Sequence, residues 1–141
     1  MKRTLIFLFV IFIIPGYLKA QTFPLNKTKE EIREFRRTGV HSAKILALSD
    51  TCDVYEIGSL IHENYFYHDG ICYKTNQIYY LDTNEVMSDA ISIEQSIFNH
   101  YDLKKVGDNI WLTPNGNEQI ELIVKDKNQY IIQMRLVSNK N

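Results

Sequence analysis

Four histidines, two cysteines and 17 acidic side chains are the raw material for catalysis or metal binding in this chain. His62-Glu63 resembles the opening of a helical zinc motif, which needs its second histidine four residues after the first, one turn away on the same helix face. The next histidine is His68, six residues on and inside an aromatic, strand-forming run. At about 3.3 Å per residue the two rings are about 20 Å apart and cannot share a metal. A Cys–His nucleophile needs Cys52 or Cys72 beside His41, His62, His68 or His100. In the hairpin that the sequence predicts around Asp69-Gly70, Cys72 and His68 point to opposite faces. Glu30-Glu31 are adjacent carboxylates, but at a helix start, where they serve capping. No nucleophile elbow, Walker loop, dinucleotide fingerprint or CxxC pair is present. The expectation is a chain that is not an enzyme and takes no cofactor or metal.

The two cysteines are read against the first twenty residues. Lys2 and Arg3 precede an unbroken apolar run, residues 5–14; Pro15-Gly16 breaks it, and Ala20 supplies a small residue before Gln21. This is the grammar of a secretory signal peptide over residues 1–20, with cleavage after Ala20. Ten apolar residues are about half a bilayer span. Processing removes Lys2, Arg3 and Lys19 but no acid, which takes the net charge from −1 to −4. A mildly acidic exported domain binds neither nucleic acid nor an anionic lipid surface through bulk charge. In an oxidising compartment Cys52 and Cys72 are either one disulfide or two separate buried thiols. Asn26-Lys27-Thr28 matches a glycosylation acceptor, but Thr28 already has a capping role.

The remainder, residues 21–141, reads as one domain. Thr28 and Glu31 form a capping box for a helix over residues 29–38, with Ile32 and Phe35 as its buried stripe and Gly39 as its stop. Residues 43–48 and 54–57 read as strands. Residues 63–68 and 71–74 flank Asp69-Gly70, the signature of a type I′ hairpin. That register pairs His68 with Ile71, Tyr67 with Cys72 and Phe66 with Tyr73. The second strand runs on through Ile78, Tyr79, Tyr80 and Leu81, with a kink at Asn76. Alternation then places Phe66, His68, Ile71, Tyr73, Tyr79 and Leu81 on the core side. Asp82, Thr83 and Asn84 cap a second helix over residues 85–100, whose stripe is Met87, Ala90, Ile91, Glu94, Ile97, Phe98 and Tyr101. Four further strands follow, at 103–106, 110–113, 119–124 and 129–137. The expected class is α+β: an antiparallel sheet with two helices packed on one face.

The compositional oddity is tyrosine, nine residues with six between 55 and 80. Tyrosine gives large amphipathic contact area at low entropy cost, which suits binding surfaces. With Phe66 and Tyr73 inward, the expected partner-binding face carries Tyr65, Tyr67, Lys74 and Tyr80, with Lys74 across from Tyr65.

The helix start at Thr28-Lys29-Glu30-Glu31-Ile32, followed by the tyrosine-rich Asp-Gly hairpin ending at Tyr73, resembles small envelope proteins of the BamE-like outer-membrane-assembly type and secreted β-lactamase-inhibitor-like domains. The resemblance covers residues 28–73. It departs from those families in lacking a lipidated cysteine and in its longer segment 40–57, and no functional residue carries over. It implies a non-enzymatic protein-binding module. The functional expectation is therefore an exported, periplasmic or secreted bacterial interaction module whose partner is a protein or envelope component. A secreted enzyme inhibitor or immunity-type protein is the alternative.

Overall fold

The computed structural model describes residues 24–39, 43–81, 84–100 and 102–137. Residues 1–23, with the expected signal peptide, His41, the cap at Asp82 and Thr83, Tyr101 and the tail 138–141 lie outside the described residues.

The capping box forms as the sequence predicts. Thr28 Oγ1 accepts from the Glu31 amide at 3.1 Å, and Glu31 Oε2 accepts from the Thr28 amide at 2.7 Å. These bonds satisfy two donors that have no partner within the helix and start α1, Lys29–Thr38. The segment before α1 is stitched to the hairpin: the Asn26 amide donates to the Cys72 carbonyl and the Cys72 amide to the Lys27 carbonyl, both at 2.9 Å. Of the expected stripe Ile32 is buried, but Phe35 is 56% exposed and Arg36 takes the inward position.

Eight strands follow: β1 (Lys44–Leu48), β2 (Cys52–Ile57), β3 (Ile61–His68), β4 (Ile71–Tyr80), β5 (Lys104–Gly107), β6 (Ile110–Leu112), β7 (Glu118–Asp126) and β8 (Gln129–Leu136). Helix α2, Asn84–His100, stands between β4 and β5. All eight strands lie in one antiparallel sheet, in the order β1-β2-β3-β4-β8-β7-β6-β5. This overturns the expected class. Strand accounts for 51% and helix for 23%, so the molecule is a predominantly β structure built on one continuous sheet rather than a balanced α+β domain. The physical reason is that hairpins read as separate units join edge to edge: β8 returns to pair with β4, and every interior strand is bonded on both sides.

The Asp69-Gly70 turn has both φ values positive, 49° and 76°, as a type I′ turn requires. His68 pairs with Ile71 and Tyr67 with Cys72, but Phe66 pairs with Lys74. Tyr73 is therefore the extra residue of a β-bulge, and the alternation reverses beyond it. Asn76, the expected kink, pairs regularly with Asn64 and Gln133. Because of the bulge Thr75, Gln77 and Tyr79 share a face with Tyr65 and Tyr67, while Lys74, Ile78 and Tyr80 share the other with Phe66. The predicted core side is thus broken up. Tyr79 and Leu81 are buried, whereas His68, Ile71 and Tyr73 are exposed.

The inner face holds the core, from Tyr55, Tyr65 and Tyr79 through Tyr130 and Ile132 to Ile120 and Trp111. Each helix reaches the sheet through residues three apart. From α1, Arg33 bonds Asp53 and Arg36 bonds Glu63 and Tyr65. From α2, Gln95 bonds Asn109 and Phe98 packs on Trp111, with centroids 5.0 Å apart. Tyr55 opposite Glu63 and Trp111 opposite Ile120 occupy corresponding places in the two halves. The chain is thus two successive units, each a helix followed by four strands, meeting at β4 and β8. The first unit has an ionic helix–sheet junction and the second a neutral one.

Candidate interaction face and buried polar groups

The densest set of chemically capable side chains lies beneath α1. Arg33 grips Asp53 with two bonds of 2.8 Å, and the Tyr67 hydroxyl donates to the same carboxylate at 3.0 Å. Arg36 donates to Glu63 and to the Tyr65 hydroxyl. Tyr65 donates on to Glu63 Oε2 at 2.6 Å, and Gln77 Nε2 to Glu63 Oε1 at 3.0 Å. Each carboxylate is held by a guanidinium and by further donors. The bond to Asp53 raises the pKa of Arg33, and burial followed by the Asp53 charge raises that of the Tyr67 hydroxyl. This network holds both acids as hydrogen-bond acceptors of the arginines of α1 and so ties that helix to the sheet.

The four residues expected to make the partner face do not come together. Tyr65 and Tyr67 are 2% and 4% exposed and belong to the core, where Tyr65 meets Tyr55 edge-on at 5.8 Å. Lys74 and Tyr80 lie on the opposite, outer face. Lys74 stands across from Phe66, with its ammonium 4.1 Å from that ring's centroid, and not across from Tyr65. The bulge at Tyr73 separates the two pairs.

The candidate disulfide is not formed. Cys52 stands opposite Phe66 on the outer face, Cys72 opposite Tyr67 on the inner face, and both are free thiols. With β3 between them the two strands are about 9.5 Å apart, beyond the roughly 7 Å that a disulfide tolerates between Cα atoms. Burial pushes the Cys72 thiol up to about 11. Burial also raises Cys52, with the neighbouring Asp53 charge adding to it.

The outer face is a different surface. Across β3, β4, β8 and β7 it carries three cross-strand rows, read from the register. One is His62, Ile78, Ile131 and Ile123. The middle one is Asn64, Asn76, Gln133 and Glu121. The third is Phe66, Lys74, Arg135 and Gln119. His62 meets the Tyr80 ring edge-on at 5.0 Å, which places Tyr80, 37% exposed, beside the apolar row. The contacts of both helices fall on the inner face; the outer rows are mostly half-buried, with Ile131 buried and the Oδ1 atoms of Asn64 and Asn76 buried without a hydrogen-bond partner. His68, at the hairpin end, is exposed beside Asp69.

One buried group escaped the sequence reading in kind, though not in position. Glu94 is the acid in the otherwise apolar and aromatic stripe of α2, and it is 0% exposed. Its Oε1 lies 3.4 Å from the Tyr130 hydroxyl, and its Oε2 has no partner. Burial pushes its carboxyl up to about 8. A single acid at a helix-stripe position was the available signal.

Set against protein-family models, curated proteins and solved structures, the chain matches none.

Proposed function

We propose that this chain is an exported, non-catalytic interaction module that binds a protein or envelope component through the outer face of its sheet. The observation that carries this reading is the set of half-buried Phe66, Lys74 and Ile78 with exposed Tyr80, on the face of the sheet opposite the helix contacts. Aromatic and aliphatic side chains alternating with amides and a cation suit a protein partner. They give contact area at low entropy cost and hydrogen bonds that set orientation. The residues with catalytic potential support the same reading, because Asp53 and Glu63 are committed to arginines. The signal grammar of residues 1–20 supports export.

The test is a double variant, Lys74→Glu with Tyr80→Ser. Both side chains lie on the outer face, so the fold should keep its melting temperature to within a few degrees. Photo-crosslinking from this face in envelope extracts should join the wild type to a specific partner and should lose that adduct in the variant. An adduct of unchanged yield refutes the outer face as the binding surface.

A further inference from the structure

The two helices are held to the sheet by different chemistry. Helix α1 is fastened by two arginine–carboxylate pairs. Helix α2 has Phe98 on Trp111, the neutral bonds Gln95–Asn109 and Asn99–Trp111, and Glu94. Met87, Ala90 and Phe98, on the same stripe, are also buried, so the Glu94 carboxyl is enclosed by apolar groups. The titratable and charged groups around it are few. Tyr130 of β8 reaches it at 3.4 Å, and Tyr79 of β4 is stacked behind Tyr130 at 4.6 Å. Of the inward residues of β7 and β6, Ile120, Leu122 and Trp111 carry no charge; Glu118, whose carboxyl burial also pushes up, lies six residues along β7 from Val124, the partner of Tyr130. Lys105 of β5 stands over the Trp111 ring at 5.9 Å. On α2 itself Asp89 and His100 are exposed. Among the described residues no cation pairs with Glu94.

We propose that Glu94 makes α2 a pH-gated latch: protonated, it lets the helix lie against Tyr130 and Trp111, and ionised, it drives the helix off and uncovers that apolar surface while α1 stays docked. A carboxylate with one long hydrogen bond and one bare oxygen has lost its water and gained no counter-charge. It ionises by leaving the interface, and it takes with it the helix that carries it. Helix α1 does not share this response, because the buried acids beneath it, Asp53 and Glu63, are paired with its arginines. The sign follows from the direction of the shift. The ordinary value for the group is 4.5, and in the fold it is pushed up to about 8. Docking is therefore at full strength below the ordinary value. It weakens as the pH rises between the two values and levels off above the folded one.

Hydrogen–deuterium exchange of the full chain between pH 5 and pH 9, corrected for intrinsic rates, tests the latch. The opening constant of α2 amides should rise roughly 400-fold from pH 5 to pH 8, while α1 amides stay level. Glu94→Gln, which keeps the shape and cannot ionise, should flatten the α2 profile. A pH-independent α2, an α1 that opens together with α2, or a Glu94→Gln variant that keeps the slope would overturn the proposal. The wild type supplies an independent check through the carboxyl carbon of Glu94 by NMR. A midpoint well above the ordinary glutamate range supports the latch, and a midpoint within that range overturns it.

Discussion

Removing Glu63 should be among the most damaging single changes in this protein, and the reason is specific. Arg36 and Glu63 are 7% and 4% exposed in their side chains. Glu63→Ala leaves a guanidinium buried without its counter-charge, and it also strips the Tyr65 hydroxyl and the Gln77 amide of their acceptor. Breaking a buried pair from one side costs about 3–5 kcal/mol, against about 0.2–1 kcal/mol for an exposed pair. A domain of this size has about 5–15 kcal/mol in total, so the single variant should melt about 10–20 °C lower. Arg36→Ala should cost a similar amount. The double variant removes both charges and should cost about 2–3 kcal/mol less than the two singles added together. Urea unfolding of the four proteins of the cycle, at pH 7 with m-values compared, measures that coupling. A coupling below about 0.5 kcal/mol would refute the buried network as the anchor of α1, since that is the size of a solvated pair.

Two further outcomes follow from the packing and from the thiols. Phe98 is 3% exposed against Trp111, so Phe98→Ala should cost about 3–5 kcal/mol in thermal or urea melts, and a melting temperature equal to wild type would show that α2 does not seat there. Cys52 and Cys72 should both titrate as free thiols in unfolded, unreduced protein; in the folded protein Cys52, which is half-buried, should label ahead of Cys72, whose thiol burial pushes up to about 11.

Local features were legible because their determinants are adjacent in sequence. Thr28 and Glu31 cap a helix from three residues apart, and Asp69-Gly70 supplies the two positive φ values of a tight hairpin without help from the rest of the chain. The positions of all eight strands and both helices were readable to within a few residues for the same reason. The face assignment was not. One extra residue, Tyr73, reverses every side chain after it, and no local preference distinguishes a bulge at Tyr73 from regular alternation. That single slip carried Lys74 and Tyr80 to the outer face. Tyr65 and Tyr67 precede it and are core for another reason: α1 docks on their side of the sheet, and nothing local to β3 says which of its faces a helix will cover.

By itself, the sequence determined the element order, the capping, the hairpin turn, the apolar stripe of α2 and the leader's three-part pattern, since each depends on propensity and spacing within a few residues. Only the tertiary structure decided that β8 pairs with β4, which joins two four-strand units into one sheet. It alone paired Arg36 of α1 with Glu63, 27 residues away, and set Glu94 of α2 beside Tyr130, 36 residues away. These are contacts between distant segments. Whether an arginine is buried on an acid, or a glutamate is buried with nothing but a tyrosine, depends on what the other segment brings, and no periodicity within one segment encodes that.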